Sequence, residues 1–243
     1  MPSITETLLA WGVRPAAVTR FCEAPGIRTV GGTKNPDVGA IVGLGADLVV
    51  MDAEENRLED AEALRMAGIK VHATHVRSVA DVQPMLTRLW DALGGPGEHP
   101  TPGIPTTRLT DDPNSGGRLP RDPRPLTRSE QPSVWVPIWR RPWMSIGGGT
   151  YGSSVLAQAG IRNVLGDSES PYPPVDIAEA AGLRPDYVLA PSEPYPFSER
   201  HRSELEEVAP AVFVDGRDLF WWGDRTGPAL VRLGELAANL ARR

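Results

Sequence analysis

The chain has 243 residues, of which 40% are hydrophobic, and a formal net charge of −6 with both signs mixed along its length. That is enough apolar material for a core, which excludes global disorder, and the acidic balance argues against general nucleic-acid binding, which uses a basic face. A single cysteine, Cys22, excludes an intrachain disulfide and every zinc motif built on Cys pairs, and reads as a small core residue.

Ser3-Ile4-Thr5-Glu6 has the form of a capping box ahead of Leu8-Leu9, so a first helix is expected from Ser3. An α/β lobe normally places a strand before such a helix. That strand is missing here, or its codons lie upstream of Met1. The opening residues hold neither a basic region nor an apolar run, so no signal peptide is expected. Nor does any stretch approach the roughly 20 apolar residues of a membrane span. As written, the chain reads as cytoplasmic, and as periplasmic or cell-surface if the true start lies upstream. Gly12-Val13 closes the first helix with a left-handed cap. Gly31-Gly32-Thr33-Lys34-Asn35-Pro36-Asp37 either exposes backbone N–H groups, Lys34 and Asn35 toward an anionic ligand group, or is an ordinary turn before a helix beginning near Asp37. It is no phosphate loop, since no Gly-Lys-Ser/Thr follows.

Leu44-Gly45-Ala46-Asp47-Leu48-Val49-Val50 predicts a helix passing through a tight turn into a buried strand. An acidic, polar turn comes next, with Glu54, Glu55 and Arg57, then an amphipathic helix from Leu58 to Ala67 and a strand from Lys70 to Thr74. A helix starting near Ser78 should stop by Gly94. Residues 94–133, rich in Pro and Gly and without apolar periodicity, read as a flexible linker between an N-terminal lobe at 1–93 and a C-terminal lobe at 134–243.

The second lobe repeats the first. Gly160-Ile161 closes a helix. Leu183-Arg184-Pro185-Asp186-Tyr187-Val188-Leu189 matches Leu44 to Val50, and the turn from Pro191 to Phe197 follows. A helix from Ser198 to Val208 and a strand from Ala211 to Val214 complete it. In this alignment Glu54 and Glu193 are equivalent. Strand alternating with helix predicts two Rossmann-like α/β lobes with parallel sheets, facing each other across a ligand cleft at the carboxyl ends of the strands. The candidate ligand-binding side chains lie in loops at those ends: Phe21, Lys34, Asn35, Glu54, Glu55, Arg57, Trp139, Arg140, Trp143, Glu193, Tyr195, Phe197, Trp221 and Trp222. Aromatics in Pro- and Gly-containing loops suit the wall of a site for a large flat ligand, or else fill gaps between loops and core. Two alternatives stay open. Glu54, Glu55 and Glu193 could act as acid and base of an enzyme, and His201 with His72 or His75 could bind a divalent metal directly.

Pro2-Ser3-Ile4-Thr5-Glu6-Thr7, Gly31 to Asp37, Leu44-x-x-Asp47-Leu48-Val49-Val50 and Gly68-Ile69-Lys70-Val71 together resemble the periplasmic-binding-protein family of the cobalamin and ferric-siderophore class. In the second lobe Trp139-Arg140-x-Pro142-Trp143, Leu183-x-Pro185-Asp186 and Pro191 to Phe197 are similar to its helical-backbone metal receptor subgroup. The resemblance implies a class III periplasmic-binding-protein-like fold and a binding role without catalytic residues or a resident cofactor. The ligand it implies is cobalamin or another corrinoid, a ferric siderophore or a haem-like chelate. It also implies docking on an ABC transporter permease through an acidic residue of each lobe, near Glu59 in one and at Glu199 or Glu204 in the other. A monomer is expected. The family's long inter-lobe helix is interrupted here by the Pro/Gly-rich segment.

Overall fold

The computed structural model describes residues 1–95 and 131–242. They form two compact units. One comprises residues 1–76, 80–95 and Trp222–Arg225, and the other residues 77–79, 131–221 and 226–242. Most of the expected linker, residues 96–130, lies outside the described residues.

In chain order the first unit carries α1 (Pro2–Ala10), β1 (Ala17–Val18), β2 (Arg28–Thr29), α2 (Val38–Gly43), β3 (Leu48–Asp52), α3 (Leu58–Met66), β4 (Lys70–Thr74) and most of α4 (Val79–Ala92). The pairs β1–β2 and β3–β4 are both parallel. Their core is Val30, Ile41, Met51, Ala61, Leu64 and Ile69. Asp37 caps α2 by accepting from the Ala40 N–H, as the turn reading requires. α4 ends at Ala92 and Gly94 takes a φ of 71°, so this helix stops where its glycines place the stop.

One local expectation fails. α1 has no capping box: Pro2 occupies its first turn, where a missing N–H costs nothing, so the helix starts at residue 2 and Ser3 is already inside it. Glu6 is held instead by Arg225, whose Nη2 donates at 2.7 Å.

The second unit carries β5 (Ser133–Trp135), β6 (Pro137–Trp139), β7 (Met144–Ser145), α5 (Tyr151–Gln158), β8 (Arg162–Asn163), α6 (Ile177–Gly182), β9 (Tyr187–Pro191), a 3-10 turn at Glu199–His201, α7 (Arg202–Leu205), β10 (Ala211–Val214), α8 (Arg217–Phe220) and α9 (Thr226–Leu240). Four strands form one parallel sheet in the order β10-β9-β5-β8, and β6 and β7 pair antiparallel. The helix expected over Ser198 to Val208 is shorter, a 3-10 turn followed by one turn of α-helix.

The internal repeat is expressed in hydrogen bonds. Asp52 pairs with Thr74 and Pro191 with Val214, and one residue further on the Ala53 N–H donates to Thr74 O and the Ser192 N–H to Val214 O. Glu54 and Glu193 are therefore structurally equivalent. α1 and α5 end alike: Gly12 and Gly160 have φ of 74° and 82°, and the next N–H reaches back five residues, Val13 to Leu8 O and Ile161 to Leu156 O.

Trp135 is fully buried, and its Nε1 donates to Ser145 Oγ at 2.5 Å. Trp135→Ala removes that ring and strands the hydroxyl. A loss of about 3–5 kcal/mol in denaturant-derived stability is expected.

Candidate functional site

The first unit gathers polar groups at the carboxyl end of β3, and a buried carboxylate organises them. Asp52 Oδ1 accepts from the Glu54 N–H at 3.0 Å and Oδ2 from the Thr74 hydroxyl at 2.9 Å, while the Asp52 N–H donates to Asn56 Oδ1 at 2.9 Å. Asn56 Nδ2 then donates to Thr33 O at 2.8 Å, tying this turn to the loop that follows β2. On that loop Lys34 Nζ reaches Glu54 O at 2.6 Å, and the Thr33 hydroxyl lies 3.4 Å from Glu55 Oε2. Gly31, with φ of 86°, allows the loop to close, because a Cβ there would stand 2.6 Å from Asn35 O. The Arg20 N–H donates to Gly31 O, and the Arg20 guanidinium lies 4.8 Å from the centre of the Phe21 ring, which is 64% exposed.

Lys34, Glu54 and Glu55 thus meet at one edge of this unit, and the Arg20 N–H to Gly31 O bond ties the segment carrying Phe21 to the loop carrying Lys34 and Asn35. Arg57 does not join them. Its guanidinium makes two bonds to Asp60, at 3.0 and 2.9 Å, which raise its pKa and turn it toward the first turn of α3. Cys22 Sγ lies 3.2 Å from both the Thr5 and Thr19 hydroxyls. Burial works to raise its pKa, but the N-terminal ammonium and those hydrogen bonds outweigh it, and the net direction is down.

In the second unit the expected aromatics form a row. Trp135 contacts Trp143, which stacks on Phe197 with planes 5° apart. Phe197 meets Tyr195 at 4.7 Å between centroids, and Tyr195 meets Trp139 edge-on at 5.8 Å. The row begins in the core and ends on the surface, since Trp135 is 0% exposed and Trp139 is 46% exposed. Arg140 lies at the outer end, its Nε donating to Glu204 Oε2 at 2.8 Å. His201 packs edge-on against both Tyr195 and Phe197, its Nδ1 accepts the Ser198 N–H at 3.1 Å, and Arg200 Nε lies 3.2 Å from its Nε2. Burial, then the nearby Arg200 and Arg140, lower the His201 pKa. A second group stands at the ends of β9 and β10: Arg217 lies 4.9 Å from the Trp221 ring centre and 4.0 Å from Glu193 Oε1.

Two expected aromatics offer little surface. Phe197 is 4% exposed and belongs to the core cluster, and Trp222 is 5% exposed and belongs to the first unit, apart from Trp221. Among the described residues no group of three or more His, Cys, Asp or Glu is placed to hold a metal ion. Four side chains that matter here were not singled out from sequence: Asp52, Arg20, Arg217 and, as an aromatic partner, His201. An Asp ending an apolar strand with an Asn four residues later is a readable signal for the first. Nothing in the local sequence marks Arg217.

No protein-family model and no curated protein sequence matches the chain. Solved structures do match in fold. The periplasmic vitamin B12 binding protein of Vibrio cholerae superposes with a TM-score of 0.72 at 17% identity, covering 100% of this chain and 96% of that one. The periplasmic heme-binding protein of Roseiflexus sp. RS-1 gives 0.71 at 18% identity, covering 99% and 96%. An ABC transporter substrate-binding protein of Listeria monocytogenes gives 0.67 at 13% identity, covering 98% and 96%. The chain has the α/β fold of class III periplasmic binding proteins.

Two outcomes are expected from these contacts. Asp52→Ala removes the acceptor of the Glu54 N–H and leaves the Thr74 hydroxyl with Met51 O alone, and should cost about 1–2 kcal/mol in urea unfolding. His201 has a folded pKa below its unfolded value, so the unfolded chain binds the proton first and stability falls as pH drops through about 6.5. The thermal midpoint should fall between pH 7.5 and pH 5.5, and by less in His201→Gln.

Proposed function

We propose that the protein is a ligand-binding protein rather than an enzyme, and that its ligand is a metal chelate: cobalamin or another corrinoid, a haem-like chelate or a ferric siderophore. One observation carries this reading. The second unit presents a row of rings that begins in its core and ends at exposed Trp139 beside Arg140, on a fold whose solved neighbours include proteins described as binding vitamin B12 and heme. Anchored rings with a cation at the edge suit a large conjugated ligand carrying anionic groups. Trp139, Arg140, Trp143 and Tyr195 are the proposed contacts of this unit, joined by Glu193 and Trp221. Phe21, Lys34, Asn35, Glu54 and Glu55 are those of the first unit.

The proposed partner is an ABC transporter permease, and the Listeria neighbour is described as the substrate-binding protein of such a transporter. Exposed Glu59, in the first turn of α3, is the proposed docking carboxylate of the first unit. Glu199 and Glu204 are already bonded to Arg202 and Arg140, so docking there would require exchanging one arginine partner for another. Among the described residues no helix is long and apolar enough to cross a membrane. The solved neighbours described as periplasmic support the periplasmic or cell-surface alternative over the cytoplasmic reading. We take the working form to be a monomer.

Titration of the purified protein with cyanocobalamin, haemin and a panel of ferric siderophores, followed by visible absorption, tests the reading. At least one chelate should bind, and Trp139→Ala should weaken it by about tenfold or more. Absence of binding by every chelate would overturn it.

A further inference from the structure

The loop that carries Tyr195 and Phe197 is closed by a side chain that loses its acceptor when it takes up a proton. His201 stands three residues after Ser198, where Glu or Gln completes a capping box, and its Nδ1 accepts the Ser198 N–H at 3.1 Å. A Gln amide keeps that acceptor at every pH, whereas an imidazole keeps it only while the nitrogen is unprotonated. The other ring nitrogen is no better placed for a proton. Arg200 Nε donates to His201 Nε2 at 3.2 Å, and the Tyr195 hydroxyl stands 3.5 Å from the same atom. A backbone N–H and a guanidinium N–H can only donate. A neutral imidazole, with one lone pair, meets one of them, and an imidazolium meets neither.

The same ring braces the aromatic row. His201 is buried, with its centre 5.5 Å from that of Tyr195 and 5.6 Å from that of Phe197. Tyr195 carries the contact to exposed Trp139, and Phe197 carries the stacked contact to Trp143. His201 therefore touches two middle members of the row and also ties down the backbone between them and α7. Charged and titratable groups face it from every side: Arg200 from its own turn, Glu204 from α7, Arg140 from just past β6, and Tyr195 from the loop after β9. Burial, then Arg200 and Arg140, favour the neutral ring, and Glu204, bonded to Arg140, opposes them.

We infer that His201 is a positioning residue of the binding face: unprotonated, it holds Tyr195 and Phe197 in place against Trp139 and Trp143, and its protonation opens the turn and lowers the affinity for a chelate. This rests on the ligand reading above and gives that site a direction, capture at neutral pH and release in acid. The bound face needs the unprotonated ring, so the complex holds fewer protons than the free protein. Affinity is level above about pH 6.5 and falls as pH drops below it.

The test is a pair of pH titrations, from 7.5 to 4.5, on the full chain and its His201→Gln and His201→Ala variants. In the first, visible absorption with cyanocobalamin, haemin and the ferric siderophore panel reports affinity, and the ratio of wild type to variant cancels titration of the chelate itself. Across the range wild-type affinity should fall by about fivefold or more relative to His201→Gln, which keeps the acceptor without the titration. At pH 7.5 His201→Gln should bind more tightly than His201→Ala, which offers no acceptor. In the second, ligand-free NMR should show the ring protons of Tyr195 and Phe197 moving with the same midpoint as those of His201. An equal pH slope in wild type and His201→Gln, or rings that stay unmoved while His201 titrates, overturns the inference. If no chelate of the panel binds, the ligand reading falls and the ring titration alone decides whether His201 holds the row.

Discussion

Parallel pairing of β3 with β4, and of β9 with β10, fixes where each polar side chain of interest can stand. In a parallel pair both strands end at the same edge, so the turns after them emerge together. The identical register in the two units places Glu54 and Glu193 one step beyond the same ladder bond, Ala53 to Thr74 in one unit and Ser192 to Val214 in the other. Lys34 reaches Glu54, and Arg217 stands between Glu193 and Trp221.

The two surfaces differ in how they are made rigid. The first is held by hydrogen bonds that converge on a buried carboxylate and an asparagine. Such a network is rigid when complete and costly when one member is lost. The second is held by ring packing, in which each aromatic is oriented by the next and only the outermost is largely free. Preorganised rings lose little conformational entropy when a flat ligand arrives.

Much of this was legible in the sequence. The Leu-x-x-Asp segments ending in apolar runs gave both β3 and β9, with Asp186 additionally anchoring the start of β5 through the Ser133 N–H and hydroxyl. Short-range chemistry was readable wherever one residue type has one use, as for Asp37 at a helix start or Gly12, Gly94 and Gly160 after helix ends. It failed where two local signals compete. Ser3 and Glu6 have capping-box spacing, but Pro2 fixes the helix start one residue earlier, and Arg225, more than 200 positions away, takes the carboxylate. The site was legible as a set of loops, not as a set of exposed side chains. Phe197 and Trp222 have the same local polarity as Trp139, and only the tertiary fold decides which ring is covered.

One pair of equivalent positions repays comparison. The last residue of β3 is Asp52 and that of β9 is Pro191. Asp52 carries an N–H that points away from β4, and Asn56 is there to receive it. Pro191 has no N–H to offer, so its unit needs no such acceptor. The same orphan donor is answered by a partner in one half and by deletion in the other. Grafting either answer alone onto the other half would therefore misfire. An Asp at 191 would restore a buried donor without the asparagine that meets it in the first unit, and a Pro at 52 would idle Asn56 and slacken the stitch that joins its turn to Thr33. The halves are copies in backbone and have become chemically non-interchangeable.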